Sequence, residues 1–174
     1  IGGKAAGMLM ARAVLSARND GGDLERILEE HDSFYIGSDV FFTFIVNNDL
    51  FRLRLELSES DRLSWEEFAD IEQRFLEGSF SADVMEQFRD MLDYYGQAPI
   101  IVRSSSLLED GFNDAFAGKY RSEFCPNQGN PEERLESFLT AVKLVYASAL
   151  NPDALSYRRR RGLHEGDEQM AILV

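Results

Sequence analysis

The sequence predicts a mixed fold of α-helices and short β-strands, because two hydrophobic patterns alternate along its 174 residues. Apolar residues recur at helical spacing in several long segments, and short apolar runs such as the one at residues 100–102 are typical of strands. No internal repeat or low-complexity linker interrupts the pattern. We therefore expect an α/β (α+β) fold in which helices pack on a small mixed sheet, within one domain over residues 1–174.

In the first half of the chain, the sequence predicts one short strand with helices before and after it. Apolar spacing favours a helix over residues 4–17 and an acidic helix over residues 23–30. A strand is predicted over residues 34–36 and ends at Gly37. Ser38 or Asp39 is expected to cap the helix that follows. The aromatic side chains of this region are expected in the core.

Two helices in the middle of the chain have clear start signals. Ser64 and Glu67 have the spacing of a capping box, and Gly78 is positioned to end that helix. The apolar stripe expected to be buried in it comprises Trp65, Phe68, Ile71 and Phe75. Ser81 is expected to cap the next helix, which Gly96 ends.

The last third begins with a strand at Ile100 and an alternating strand over residues 120–125. Asn130 and Pro131 predict the start of a long helix, and Asn151 with Pro152 predicts another. The four arginines at residues 158–161 are interpreted as a solvated helix end that complements the helix dipole; a surface for an acidic partner is the alternative. Residues 170–174 predict a final apolar strand.

Composition excludes several classes of function. The net charge of −13 argues against general nucleic-acid binding, and no apolar run approaches the roughly 20 residues of a membrane span. The one cysteine, Cys125, permits no internal disulfide and favours a reducing compartment such as the cytoplasm. Two histidines far apart, His31 and His164, suggest no metal site. Since residue 1 is Ile, we expect the chain to be part of a larger protein.

Arg103 is the strongest candidate for binding an anion. It leaves a buried strand, where ligand sites of open sheets gather, and its guanidinium pairs with phosphate oxygens in a planar fork. The hydroxyl groups of Ser104, Ser105 and Ser106 follow directly. The alternative is an arginine that pairs with an acid of the next loop, Glu109 or Asp110.

Two glycine-containing segments are further candidates. Gly2 and Gly3 precede Lys4 at the start of a helix, where free backbone N–H groups attract phosphate. The run Phe-Ala-Gly-Lys at residues 116–119 is suited to a flap whose backbone faces phosphate. An ordinary loop and a hairpin turn, respectively, are the alternatives.

Several of these motifs together resemble a known family. The run Val-Arg-Ser-Ser-Ser at residues 102–106, Glu-Asp at 109–110 and Phe-Ala-Gly-Lys-Tyr at 116–120 are similar to the signature of the ATP-binding domain of phosphoenolpyruvate synthases and pyruvate phosphate dikinases. Further matches are the runs at 2–8, 145–148, 154–158 and 170–174. The chain departs from the family in its Ser-Leu-Leu at 106–108, which suggests a divergent branch.

The resemblance implies the first half of an ATP-grasp domain that binds ATP and works with Mg²⁺, whose ligands we expect outside this chain. Its implied partner is a histidine domain of the same protein, which accepts a phosphoryl group and carries it to pyruvate. Catalytic roles fall on Lys4 and Arg103. The implied nucleotide contacts are Lys4, Arg103, Ser104, Ser105, Ala117, Gly118, Lys119, Ser122 and Met170.

Alternatives to this function remain open at the level of the sequence. The same ATP domain serves relatives that phosphorylate an antibiotic or a glucan, and a non-catalytic nucleotide-sensing module is the rival from another class. We expect residues 1–174 alone to be inactive and to bind ATP only at about millimolar concentration, because two or three charge-assisted hydrogen bonds barely offset the cost of association.

Overall fold

The computed structural model describes residues 1–17, 32–59, 62–111, 114–115, 118–163 and 168–174. Seven helices lie in these residues: α1 (Gly3–Ala17), α2 (Ser38–Asn47), α3 (Leu50–Glu59), α4 (Trp65–Glu77), α5 (Ala82–Tyr95), α6 (Pro131–Ser148) and α7 (Pro152–Arg160). The strands are β1 (Tyr35–Ile36), β2 (Ile100–Ser104), β3 (Asp110–Gly111), β4 (Asp114–Ala115), β5 (Ser122–Cys125) and β6 (Ile172–Leu173). The mixed α and β fold class is therefore confirmed.

The main sheet has four strands in the order β1-β6-β2-β5. Every pair in it is antiparallel, so the expectation of mixed strand directions is wrong in the described part of the sheet. Strands β3 and β4 form a separate antiparallel ribbon. Since β6 lies between β1 and β2, residues far apart in the chain meet at the centre of the sheet.

The long helix α6 lies at the centre of the packing. It contacts β2 and β5 on one side and α4 and α5 on another. Its Phe138, Val142 and Tyr146 are fully buried, and the Tyr146 ring lies 5.0 Å from that of Phe41, centroid to centroid. Side chains of this size account for most of the stabilisation by burial. The core therefore lies between α6 and the sheet and extends to the aromatic face of α2.

Local sequence signals predict most of the observed helix ends. The predicted helix starts at Ser64 and Asn130 are both present, and the predicted capping box of Ser64 with Glu67 is formed on α4. Asn130 forms a capping box as well, with Glu133 on α6. Gly96 ends α5 with a φ of 60°, in the left-handed region that glycine adopts without strain. Gly37, rather than Ser38 or Asp39, is the residue before α2, and Ser81 precedes α5 without a side-chain capping bond.

Trp65 is not part of the buried stripe that its spacing predicts. Its side chain is 58% exposed, whereas Phe68, Ile71 and Phe75 are buried as expected. Trp65 is the first residue of α4, and its ring packs edge-on against Phe68. A residue in the first helical turn extends beyond the core that the rest of the stripe contacts, which is why periodicity misassigned it.

For two further segments, prediction and structure cannot be compared. No pattern in the sequence predicts α3, which packs against α2. The acidic helix predicted at residues 23–30 lies outside the described residues. No helix within the described part of the chain is both long and apolar enough to cross a bilayer.

The arginine-rich end of α7 is only partly solvated. Arg158 is fully buried, and its guanidinium donates hydrogen bonds to the Ala149 carbonyl (2.7 Å) and the Tyr120 hydroxyl (3.1 Å). The Glu168 carboxylate lies 3.6 Å from it. The expectation of a solvated end is therefore wrong for Arg158, because a buried carboxylate and two buried oxygen atoms satisfy this guanidinium.

Candidate functional site

One face of strands β2 and β5 is open to solvent. Along β2 the even-numbered residues are buried and Ile101 and Arg103 are exposed. Arg103 lies opposite Ser122 of β5, and Ile101 lies opposite Phe124, whose side chain is 67% exposed. We call these four side chains the outer face. It brings together two of the predicted site residues, Arg103 and Ser122.

Arg103 has the surroundings of an anion-binding group. It precedes the last residue of β2, and within the described residues its guanidinium has no hydrogen-bond or ion-pair partner. The two acids that the sequence offers as alternative partners are placed differently: Glu109 pairs with Lys4, and the Asp110 side chain lies outside the described part. The guanidinium is therefore available to a ligand on the outer face.

The three serines after Arg103 attach helix α1 to the end of β2. Ser104, Ser105 and Ser106 are completely buried. The Ser105 hydroxyl accepts the Ala5 N–H (3.0 Å) and donates to the Ile1 carbonyl (3.0 Å). In this arrangement the hydroxyls that the sequence assigned to phosphate are bonded within the protein, and Ser105 caps the start of α1.

A glycine makes this close approach of α1 possible. Gly2 has a φ of +74°, and a Cβ atom there would lie 1.3 Å from the Ser105 carbonyl oxygen. The adjoining Gly3 N–H donates to the Ser106 carbonyl at 3.3 Å. The Gly-Gly pair thus provides the contact between helix and strand, a role distinct from letting phosphate approach.

Lys4 reaches from α1 to the end of β2. Its ammonium donates to the Ser104 carbonyl (2.9 Å), the Ser104 hydroxyl (3.2 Å) and the Glu109 carboxylate (2.5 Å). Its side chain is 27% exposed, whereas that of Glu109 is 4% exposed. The lysine charge is therefore neutralised locally but remains partly open to solvent.

Lys4 and Arg103 meet the same strand end from different sides. Lys4 bonds to Ser104, whose side chain is on the buried face of β2, and Arg103 projects from the exposed face. Successive side chains of a strand alternate between its faces. A ligand that contacts both cations would have to extend around the end of β2.

The predicted flap lies next to this region and is anchored on one side. Of its residues, Phe116 and Ala117 lie outside the described part of the chain. Gly118 is exposed with a φ of +74°, and the Lys119 carbonyl accepts a hydrogen bond from Asn151 (2.8 Å). The Arg121 N–H donates to the Ser148 hydroxyl at 3.0 Å. The junction of α6 and α7 therefore fixes the end of the flap.

A cleft of about 450 Å³ opens beside this turn. Its lining combines the exposed Trp65, the Gly118–Lys119 turn and an Arg121 guanidinium that pairs with Glu72 at 2.6 Å. We call it the Trp65 cleft. Neither Lys4 nor Arg103 lines it, so the predicted site residues fall into two groups: the end of β2 and the flap turn.

One comparison with known proteins decides the family. The family model described as pyruvate phosphate dikinase, AMP/ATP-binding domain, matches residues 1–174. The chain belongs to this family. No curated protein matches the chain. The match supports an ATP- or AMP-binding portion of a phosphotransferase of the pyruvate phosphate dikinase type.

The end of β2 in this member of the pyruvate phosphate dikinase family fits the phosphates of a nucleotide. It offers an exposed guanidinium without a described partner and a partly exposed ammonium. The described residues do not form a Mg²⁺ site, because no group of three or more His, Cys, Asp or Glu side chains among them could hold a metal ion. The residues His31 and His164 lie outside the described part.

Met170 is placed in the core of this dikinase-family domain. Its side chain is fully buried, and the neighbouring Ala171 carbonyl accepts the Ser105 N–H at 2.8 Å. An adenine contact at Met170 would therefore have to use the backbone. The segment nevertheless bonds directly to the end of β2, which Lys4 and Arg103 approach from different sides.

Sequence reasoning missed Glu168, which is buried next to this segment. The Tyr120 hydroxyl donates a hydrogen bond to its carboxylate, and Arg54 donates to its backbone carbonyl at 2.8 Å. Burial raises the pKa of Glu168 and, to well above its usual range, that of Tyr120. A single glutamate in a polar stretch carries no periodic signal, so only the folded contacts identify it.

Proposed function

We propose that this chain binds the phosphates of ATP at the end of β2, as the first half of an ATP-grasp domain. The observation that carries the proposal is Arg103, exposed on the outer face opposite Ser122 and without a partner among the described residues. Lys4 supplies a second, partly exposed cation at the same strand end. Guanidinium and ammonium groups are the common protein ligands of phosphate.

Each predicted residue has a distinct role in this proposal. Arg103 binds phosphate oxygens from the outer face, with the Ser122 hydroxyl beside it. Lys4 contacts the phosphates from the opposite side of the strand end. The Ala117-Gly118-Lys119 flap covers them through backbone N–H groups. Ser104 and Ser105 hold Lys4 in place, Ser104 by bonding to its ammonium and Ser105 by bonding to the start of α1. The segment that starts at Met170 leads toward the adenine.

We further propose that the β-phosphoryl group of ATP passes to a histidine on a separate domain of the parent protein. From this histidine it passes to pyruvate. When bound, Mg²⁺ neutralises phosphate charge, and its ligands are expected outside these residues. The single cysteine, which is buried, supports a reducing compartment such as the cytoplasm.

Labelling the parent protein with ATP carrying ³²P at the β-phosphate tests the histidine carrier. We expect acid-labile phosphohistidine. Transfer of the label to an antibiotic or a glucan instead would identify another acceptor.

A nuclear magnetic resonance titration tests ATP binding by the chain itself. We expect ATP at millimolar concentration to shift the amide signals of residues 102–106 and of Gly118. Arg103→Ala should weaken binding at least tenfold, because a charge-assisted hydrogen bond contributes roughly 1.5–3 kcal/mol. Arg52→Ala is the matched control, since Arg52 is exposed on α3 and, among the described residues, pairs with Glu56 one turn along its own helix. Equal affinity of Arg103→Ala and the native chain would refute the phosphate site.

A further inference from the structure

The Lys4 ammonium has its full complement of hydrogen-bond acceptors inside the protein. An ammonium has three N–H donors, and three acceptors surround Lys4: the Ser104 carbonyl, the Ser104 hydroxyl and the Glu109 carboxylate. A phosphate oxygen can therefore bond to Lys4 only in exchange for one of these groups. Which group leaves decides where the ammonium lies in the nucleotide complex.

Glu109 is held rigidly enough to stay. One of its oxygens accepts the Ser104 hydroxyl (2.9 Å) in addition to Lys4, and the other accepts the Ser106 N–H (3.0 Å). The turn from Ser106 to Glu109 is closed by the Leu108 N–H, which donates to the Ser106 hydroxyl at 3.1 Å. The carboxylate thus points at Lys4 because the turn and β2 together fix its position.

Burial also opposes separation of the two charges. The Glu109 side chain is 4% exposed, and Lys4 is its one ion-pair partner among the described residues. Removing the partner of a buried carboxylate leaves an uncompensated charge, which is strongly unfavourable. The contact with the Ser104 hydroxyl is neutral and is the longest of the three at 3.2 Å. It is therefore the contact that Lys4 can give up most readily.

We propose that Glu109 is a positioning residue for nucleotide binding: its carboxylate keeps hold of the Lys4 ammonium when ATP binds, while Lys4 exchanges the Ser104 hydroxyl for a phosphate oxygen. The inference rests on the proposed function, because it assumes that the nucleotide phosphates lie at the end of β2. Glu109 itself touches no phosphate. It acts by fixing the direction of the lysine and by moderating its charge.

Variants of Glu109 and Ser104 separate this role from a purely structural one. Glu109→Ala should weaken ATP binding at least tenfold. Glu109→Gln should weaken it as well, because an amide has one acceptor oxygen in place of the two carboxylate oxygens that accept three donors. Ser104→Ala removes the hydroxyl that Lys4 gives up and also one of the donors that hold Glu109, so it should weaken ATP binding less than Glu109→Ala does. Glu86→Ala, an exposed acid on α5, is the matched control and should bind normally.

The reactivity of the Lys4 amine supplies a second readout on the same samples. Peptide-resolved acetylation should show Lys4 protected in the native chain, both without and with ATP, and several-fold more reactive in Glu109→Ala; Lys143, which bonds to the Leu76 carbonyl of another helix, serves as the internal reference. If Glu109→Ala does not fold, Glu109→Asp withdraws the carboxylate by one methylene and should give the same two changes.

The outcomes distinguish this inference from the proposed function. If the native chain binds ATP and both Glu109 variants bind it equally well, the positioning role is wrong and the phosphate site stands. Tighter binding by Glu109→Ala would also overturn it, because Glu109 would then compete with phosphate for Lys4. If the native chain does not bind ATP, or if Arg103→Ala changes nothing, the proposed function fails and the inference fails with it.

Discussion

The hydroxyl of Tyr120 donates a hydrogen bond to the carboxylate of Glu168, although 48 positions separate the two residues. Tyr120 follows the flap turn directly, and Glu168 precedes Met170 by two residues. Arg158 contacts both groups. Two segments that the family resemblance assigns to the nucleotide are thus joined beneath the surface by one buried polar cluster.

Removing the cation of this cluster should destabilise the domain strongly. Arg158→Met keeps most of the apolar length but leaves Glu168 without its nearest charge and the Ala149 carbonyl without a donor. We expect the free energy of unfolding, measured by urea denaturation at pH 7, to fall by about 3–5 kcal/mol. Arg160→Met, at an exposed position of the same helix, should change it by no more than about 0.5 kcal/mol. Similar losses in the two variants would show that the cluster contributes little.

The pH dependence of stability should carry a signature of Glu168. Burial raises the pKa of its carboxyl above the ordinary value of 4.5, and this outweighs the opposing effects of Arg158 and Tyr120. A raised pKa in the folded state favours folding below the ordinary value, and this contribution is lost as the pH rises through the folded-state pKa. Glu168→Gln cannot titrate. The native free energy of unfolding minus that of Glu168→Gln should therefore decrease between pH 4.5 and 7.5; an increase over this range would contradict the assigned direction.

Gly2, which precedes helix α1, and Gly7, which lies within it, should respond in opposite ways to substitution by alanine. Gly2→Ala places a Cβ against the Ser105 carbonyl at a positive φ, whereas a Cβ at Gly7 has nothing within 4 Å. We expect Gly2→Ala to detach the start of α1 and to lower both the melting temperature and the protection of Lys4 against acetylation. Gly7→Ala should stabilise the helix by up to about 1 kcal/mol. Unchanged stability in Gly2→Ala would mean that this contact is not required.

The one tryptophan of the chain should report closure of the flap. Trp65 is largely exposed and lines a cleft together with Gly118 and Lys119. If ATP brings the flap over the end of β2, the turn moves relative to the indole, and we expect the Trp65 emission maximum and intensity to change during the titration. Trp65→Phe should bind ATP normally and lose the signal. ATP binding without any change in emission would show that the turn stays fixed.

Much of the helical framework could be predicted because its signals are local. The capping pairs at Ser64 and Asn130 depend on residues three positions apart, so a short window contains all the information. Trp65 was misassigned because periodicity indicates the face of a helix but not how far along its axis the core extends. Arg158 was misassigned because its partners, Tyr120 and Glu168, are distant in sequence.

The candidate site likewise has features that local motifs predict and features that they do not. Motifs indicated Lys4 and Arg103 as candidate phosphate ligands, and the alternation of β2 explains why the structure places them on separate sides of the strand end. No motif predicts which groups the serine hydroxyls bond to. Ser104, Ser105 and Ser106 look like phosphate donors in a linear sequence, whereas the docking of α1 buries all three and employs them within the protein.

The order of strands in the main sheet has a consequence for how the chain assembles during synthesis. Strand β6 occupies the position between β1 and β2 but follows every other strand of that sheet along the chain. Until it emerges from the ribosome, β1 has no neighbour to pair with and β2 presents an unsatisfied edge, so only the ladder between β2 and β5 can form. Ribosome-bound chains that stop before Ile172 should therefore hold a helical core with an open sheet, a state prone to edge-to-edge association.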